Sequence, residues 1–575
     1  MTLQKLRLVG LKDRETSQFQ QAVLEWSNRV VSEVDTLSTS TTSASTSSTL
    51  GIYSVLDYGA IGDGVVNDTV AIQAAINAAA TAGGGTVWLP AGSYLLHKTG
   101  TKQAEGGAFA DFDYALQLKS HVRLMGDHGA KLVLAPLQDC VMVTNEHPIS
   151  TGGDHDLGIE NVVLDGTYTT QTLPTTVTVQ HSIIYMIGVT HGTFDHVQCD
   201  NSLANGGHWL SCTDCHWGYI EANTPYGSGF QFGVGGYEVV SSVVDGIVCN
   251  DAQGQHGAIG TGNPAVFTMI DCAVGEVVAN GCEWGAKIQD TSSRMSVKRA
   301  VTHACNSHGF KIEGSVSGRP TYITVGEIIS DGSNYCGLLV IDCDYVAIGS
   351  YVGHDNGYPP DLVQPGGYPD VWLEGTYLAI DSIVSIDSKD VGVVFRPTLD
   401  NSSIGSITVK NSARDALNVN FQTTAVSNRI GSAILRDAGW TSLRINGDVA
   451  TGRLQIGAYA SSGWAPTEHD IFFSSITTYP LVRIGTGYPI GDSTGSPGDA
   501  VVENQAGRSA IASTASDVTI STPFCSATSI VTINQEVFDA TLTRFRVTPA
   551  AGSFTVEGDA AATNDWPFSW SISGD

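Results

Sequence analysis

Apolar residues along this chain recur in short runs separated by polar turns, not at helical spacing. From Val239 onward the runs form an internal repeat: Gly-x-Ile/Val, a polar turn, then an apolar strand. Its copies begin at Gly246, Gly275, Arg299, Gly326, Gly349, Asp381, Gly405 and Gly431. Successive starts lie 29, 24, 27, 23, 32, 24 and 26 residues apart. A period in the twenties, with short strands and no helix between them, predicts a β-solenoid. The regular Leu/Asn pattern of a leucine-rich repeat is absent. Each coil would stack on the last at the interstrand spacing of about 4.8 Å. One coil alone cannot bury its inward face, so stacking is what stabilises it.

The pattern differs on either side of this repeat. From Arg14 to Leu37, Phe19, Val23, Leu24, Trp26, Val30, Val31 and Val34 recur at roughly helical spacing. This predicts a helix, either a packing element or a short coiled-coil stalk. A Ser/Thr tract follows and reads as a linker. Between Asp68 and Thr81 the spacing predicts one amphipathic helix, followed by strands Thr86–Leu89 and Ser93–Leu96. Beyond Pro497, alternating stretches at Ile530–Ile533, Thr543–Val547 and Ser553–Val556, with the aromatic cluster Trp566–Trp570, predict a small antiparallel β domain. The resulting division is 1–50 as stalk and linker, 51–485 as solenoid, and 486–575 as a C-terminal domain that caps the solenoid's edge or joins subunits.

Composition narrows the function. The chain has 575 residues, 42% hydrophobic and only 15% charged, with 65 glycines, which suits many short strands joined by tight turns. Its net charge of −29 would repel phosphates and excludes a general nucleic-acid binder. No run of apolar residues is long enough to span a membrane, and the opening MTLQKLRLVGLKDRETSQFQ has no apolar signal-peptide core. Eleven scattered cysteines read as buried free thiols. Cys212 and Cys215 form a CxxC, but no second pair completes a zinc site.

Two segments, YSVLDYGAIGDGVVNDT from Tyr53 to Thr69 and WLPAGSY from Trp88 to Tyr94, flank an Ala-rich helix and a Gly-rich turn. Together they resemble the opening of the pectate-lyase-like (pectate lyase 3) superfamily. That resemblance implies an all-β fold: a right-handed, single-stranded parallel β-helix with a helical N-terminal cap. It also implies that Asp57, Asp63 and Asp68 are structural, with Asp68 placed as the helix N-cap. The layout of attachment segment, β-helix and β-rich C-terminal domain is similar to bacteriophage tailspike depolymerases. This second resemblance implies a homotrimer, held to the phage tail or baseplate through its N-terminus, acting at the host cell surface on a bacterial polysaccharide. Calcium is used by some relatives, but no compact ligand motif for it, and no cofactor motif, is present here.

Counting from the repeat starts places Trp284, His308, Tyr335 and Tyr358 at the same position of consecutive coils. Stacked, they would form a ladder of rings, either a sugar-binding platform or an internal stack. Asp251, Asp331, Asp355 and Glu283 occupy nearby positions, as turn residues or as carboxylates for catalysis. Glycoside hydrolysis needs two carboxyl groups about 5 Å or about 6.5–9.5 Å apart. One or two coil steps supply such spacings, which makes Glu283 with Asp251 or Asp331 the candidate pair.

Positive charge is concentrated. No Lys or Arg occurs in the 155 residues from Leu132 to Ala286, nor from Pro320 to Ser388. Between these stretches lie Lys287, Arg294 and Lys311, with Lys287 and Lys311 at one repeat position of adjacent coils. They read as a cationic patch for an acidic sugar, or as pairs with Asp290 and Glu313. A lysine there would also suit β-elimination, in which a base takes the proton α to a carboxylate. His256 and Trp372 complete the candidate binding residues, Trp372 at the end of an insertion expected to project from one face. The segment from His208 to Glu221, rich in rings and acids, either lines the groove or packs it. The reading is an endo-acting depolymerase of an acidic surface polysaccharide, with hydrolysis ahead of elimination and a non-catalytic receptor spike as the alternative.

Overall fold

The computed structural model describes residues 51–102, 111–147, 149–171, 181–234, 236–253, 263, 265–315, 318–359, 367–420, 427–446, 453–463, 471–474, 481–484, 500–501, 506–512, 515–521, 529–535, 544–550, 553–561, 563 and 566–573. The stalk helix and linker expected over 1–50 lie outside them. The chain divides into two compact units. One comprises residues 1–277, 291–299 and 322–325; the other comprises 278–290, 300–321 and 326–575. In both, strands stack in parallel, coil upon coil, as a parallel β-helix; the antiparallel strand pairs among the described residues are Gly100–Lys102 with Phe112–Leu118 in the first unit and the strands from Ala506 onward in the second.

In the first unit, Gly85–Leu89, Val122–Gly126, Gly158–Asp165, Thr193–Asp200, His216–Asn223 and Val243–Asn250 pair in that order, all in parallel. Inward positions carry large rings. Trp209 and Phe232 stack with centroids 5.2 Å apart, and Phe232 and Phe267 follow at 5.5 Å. Phe194 and Trp217 stack at 5.7 Å. His208, Trp209 and Trp217 are fully buried, so these residues pack the interior; His216 and Tyr219 are the exposed rings of the segment. Stacking like on like lets each coil extend the apolar surface of its neighbour.

The helix runs Thr69–Thr81 and buries Ile72, Ala75, Ile76 and Ala79, whereas Val70 is exposed. Asp68 does not cap it as the sequence predicts. Its buried carboxylate instead accepts from the backbone N–H groups of Ile61 (2.7 Å) and Gly62 (3.2 Å), holding the Gly-rich turn in which Gly62 has φ 69°. The neighbouring Asn67 takes the capping role and accepts from Thr69 N at 3.1 Å and Thr69 Oγ1 at 2.6 Å. Asp63 closes a separate turn onto Val65 and Val66. Loss of a buried acceptor strands two donors, so Asp68→Ala is expected to destabilise the chain by about 2 kcal/mol. Asn67→Ala is expected to cost about 1 kcal/mol, as a lost cap does. Denaturant midpoints of the two variants check this order; a larger loss at Asn67 would return the principal role to the cap.

In the second unit, Ile288, Ile312, Val340, Leu373, Phe395, Val419 and Ile445 form one buried column through successive parallel pairs. The repeat starts coincide in space as well. Ser382 pairs with Ser406 and Ser406 with Ser432, each one residue after a start. Strands Asp517–Ser521, Phe545–Ala550 and Ser553–Gly558 make one antiparallel arrangement, and Ala506–Ile511, Ile530–Gln535 and Trp566–Ser573 another. Their core joins Ile511, Val518, Ile520, Phe554, Val556, Trp566, Phe568 and Trp570. Ten described cysteines are buried as thiols, not in disulfides. No described helix is long and apolar enough to cross a membrane.

Candidate functional site

The candidate site is an outward face of the second unit. Strands Lys287–Gln289, Phe310–Glu313, Leu338–His354 and Val371–Ile386 pair so that Lys287 lies beside Lys311, Lys311 beside Leu339, and Leu339 beside Trp372. Alternation along each strand sends the intervening Ile288, Ile312, Val340 and Leu373 inward. The period of two thus puts both lysines and Trp372 in a single column on the opposite side of the backbone.

Ahead of each strand the chain carries a ring, and successive rings pack tilted or edge to face. Centroids of Trp284 and His308 are 5.5 Å apart, of His308 and Tyr335 5.4 Å, and of Tyr335 and Tyr358 5.5 Å. The repeat register therefore brings all four rings into one ladder. It is not an interior stack: Trp284, Tyr335 and Tyr358 are half-buried, and His308 alone is buried. Tyr368, which the register missed, packs face-on against Tyr335 at 4.4 Å with an interplanar angle of 20°. The insertion explains the miss. The chain leaves at Tyr358 and returns at Tyr368 through an antiparallel bridge, with N–O distances of 2.9 and 2.8 Å, so one coil contributes two rings. Trp372, at the end of the insertion, is covered by the Arg396 guanidinium 4.2 Å from its ring centroid.

Beside the ladder, one carboxylate oxygen of Glu313 binds both lysines. Lys287 Nζ and Lys311 Nζ are each 2.9 Å from Glu313 Oε2. Lys311 Nζ also stands 4.9 Å over the Trp284 ring. Two cations share one anion, which leaves a local positive charge in an acidic chain. The Lys311 side chain is only 11% exposed. Burial pushes its pKa below the ordinary lysine range, helped by the charge of Lys287 and opposed by Glu313. For Glu313, burial pushes upward, but the two ammonium groups outweigh it and hold the carboxyl below its usual range. His308 is pushed down to about 3 by burial and by Lys311, so it is neutral. Its Nδ1 accepts from the Cys336 backbone N–H at 3.2 Å, which leaves the ring proton on Nε2.

The candidate carboxylates are placed differently. Glu283 follows the turn at Gly281, and Asn306 donates to its Oε2 at 3.2 Å. Backbone bonds align Glu283 with Asn306 and Asn334 of the next coils. Asp331 ends the preceding strand, in another row, and is held between two imidazoles: His303 Nδ1 and His354 Nδ1 each lie 2.8 Å from its oxygens. The bond from His354 keeps the Asp331 carboxyl below its usual range, and the same bond raises the pKa of His354. Asp251 belongs to the first unit, in a turn with φ 55°, and Asp355 has φ 53°; this is the left-handed geometry that Asp tolerates in turns. Asp355 faces Lys389 at 3.4 Å. Arg294 also belongs to the first unit, and its fork binds Asp271 at 2.6 and 2.8 Å. His256 lies outside the described residues. Glu313 entered the sequence reading only as a local partner of the lysines. Its signal was its place two residues after Lys311 on the same outward face.

Residues 52–311 match the family model described as rhamnogalacturonase A/epimerase, pectate lyase-like. Among curated proteins, mannuronan C5-epimerase AlgE1 of Azotobacter vinelandii is 38% identical over 116 residues, 20% of this chain and 8% of its own length. Alginate lyase 7 of the same organism is 40% identical over 116 residues, 20% of this chain and 12% of its own. The matched stretch is thus a small part of either relative. Among solved structures, a double mutant of the tailspike protein of E. coli bacteriophage HK620, in complex with a pentasaccharide, is similar over 90% of this chain and 93% of its own, with a TM-score of 0.53 at 13% identity. That likeness is one of fold. The sequence motif at Tyr53–Tyr94, the coil-upon-coil pairing and the match agree: residues 52–311 are similar to a pectate-lyase-like family model, and the fold is the parallel β-helix.

Proposed function

We propose that this chain is a tailspike-type depolymerase that binds an acidic bacterial surface polysaccharide along the ring ladder and cleaves it by β-elimination. The observation that carries this reading is the Lys287–Glu313–Lys311 cluster against Trp284. Sugars lay apolar faces on the rings. A uronate carboxylate then meets the Lys287 ammonium, which neutralises it and stabilises the carbanion that forms next to it. Lys311, whose burial favours the neutral amine, takes the proton α to that carboxylate; the electron pair forms a C=C bond as the C–O bond at the β position breaks, and the leaving oxygen takes a proton back from the Lys311 ammonium or from water. The reaction uses no cofactor. Elimination is favoured over the hydrolysis expected from sequence because these groups converge, whereas both oxygens of Asp331 are engaged by imidazoles and Asp251 belongs to the other unit. The names of the curated relatives, an epimerase and a lyase, support the same choice, and the tailspike-like fold supports a place on a phage tail as a trimer.

The test is to incubate the full chain with purified acidic capsular and exopolysaccharides, following reducing ends and the ultraviolet absorbance of unsaturated uronate in parallel. Both signals are expected to rise together, and Glu283→Gln is expected to retain them. Reducing ends without absorbance, abolished in Glu283→Gln, would assign a hydrolase. Binding without either signal would leave a receptor spike.

A further inference from the structure

The first unit carries a cluster of histidines unrelated to the ring ladder. His121, Asp156 and His191 occupy the same turn in three successive coils. Their backbone N–H groups donate to His155, Thr190 and Thr213 carbonyls, each at 3.0 Å, so the turns sit directly one on another. All three have φ between 55° and 65°, which aims their side chains outward from the turn. Asp156 is the centre. His155 Nδ1 lies 2.9 Å and His121 Nδ1 3.5 Å from its Oδ2, and His191 Nδ1 lies 3.6 Å from its Oδ1. The rings of His121 and His155 meet edge to face at 4.4 Å.

We propose that His121, His155, Asp156 and His191 bind a divalent first-row transition-metal ion of the zinc class. Three imidazoles and one carboxylate are the donor set such ions take in four-coordinate sites. Ligand atoms of a tetrahedral zinc site, with metal–nitrogen bonds of about 2.0–2.1 Å, stand about 3.3 Å apart. Here the candidate atoms of His121, His155 and Asp156 all fall within 4.8 Å of one another, and Asp156 is already 2.9–3.6 Å from each imidazole. His191 stands outside that group of three, 3.6 Å from Asp156 Oδ1, and joins as the fourth ligand by a rotamer change; each side chain is about half exposed, from 48% to 59%, which leaves the ion a way in. Calcium does not suit the site, because it takes six to eight oxygen ligands and the cluster offers mostly nitrogen. An ion here ties three consecutive coils together across their turns. Since the ligands are far apart in sequence, it stabilises the stacked state over the unfolded chain.

The test uses the metal-stripped full-length chain. Zinc chloride titrated by calorimetry is expected to bind one ion per chain, and cobalt(II) in its place is expected to give the visible absorption of a tetrahedral nitrogen-ligated ion. Both His155→Ala and His191→Ala are expected to weaken zinc by about tenfold or more, whereas His128→Ala, at an exposed histidine outside the cluster, leaves it unchanged. Asp156→Asn keeps the side-chain shape and separates loss of a ligand from loss of fold; it is also expected to weaken zinc, with circular dichroism unchanged. Millimolar calcium should not compete. Absence of zinc heat, or equal zinc affinity in the wild type and in the His155, His191 and Asp156 variants, would overturn the assignment.

Discussion

Lys311→Met is expected to lower turnover on an acidic polysaccharide by about 10²–10⁴-fold, the contribution of a positioned general base, while binding changes far less. The side chain is nearly buried and its amine is held below the ordinary lysine pKa by that burial. Methionine keeps most of the apolar stem but cannot accept a proton. Glu313 remains paired with Lys287 in the variant, so no buried charge is left alone. Lys311→Arg keeps the charge and is still expected to fail, because a guanidinium stays protonated. For the wild type, the base must be neutral to act, so kcat should rise with pH through the depressed Lys311 value. The check is a pH–rate profile of both variants beside a binding measurement with an oligosaccharide of the same polymer. Near-normal turnover in Lys311→Met, or a rate that falls as pH rises through this range, would remove Lys311 as the base. A loss of binding equal to the loss of rate would make it a binding residue only.

The second large effect concerns stability. Asp370 is completely buried in the second unit, where the Tyr351 hydroxyl donates to it, and burial pushes its carboxyl up to about 6. In the unfolded chain the group titrates near the ordinary value of about 3.9. A folded pKa above the unfolded one means that Asp370 is easily accommodated below pH 4 and costs stability as pH rises through 6. A shift of about two units corresponds to about 3 kcal/mol, lost mostly between pH 4 and pH 6.5. Asp370→Asn keeps an acceptor for Tyr351 and removes the charge. Its denaturation midpoint, compared with wild type at pH 4.5 and pH 7.5, is expected to lose this part of the pH dependence and to gain on wild type at the higher pH. Parallel pH curves for the two proteins would mean that the carboxylate is compensated in its ionised form.

Much of the ring ladder is legible in the sequence, and the reason is architectural. In a solenoid with regular coils, one period along the chain is one step along the stack. Counting from the repeat starts therefore placed Trp284, His308 and Tyr335 on one another and Lys287 beside Lys311. Where coil lengths vary, the same counting fails. In the first unit Gly158 pairs with Thr193, 35 residues on, but Thr193 pairs with His216 after only 23, so no register joined His121, Asp156 and His191. Tyr368 was missed because the insertion after Tyr358 returns the chain to the same rung.

The sequence by itself determined the fold class, through its short apolar runs, glycine-rich turns and period in the twenties, and through the motif from Tyr53 to Tyr94. It also determined which residue types recur at one coil position. What it could not determine was which partner each polar group takes. Asp68 was read as a helix cap because it precedes the helix, yet it binds the turn at Ile61 and Gly62, and Asn67 does the capping. Asp331 was read as a catalytic carboxylate by its coil position, yet two histidines from neighbouring coils occupy both oxygens. Apolar burial is non-directional and follows from pattern alone, whereas hydrogen bonds and ion pairs depend on tenths of an ångström and on angles. Those were decided only when stacking brought neighbouring coils into register.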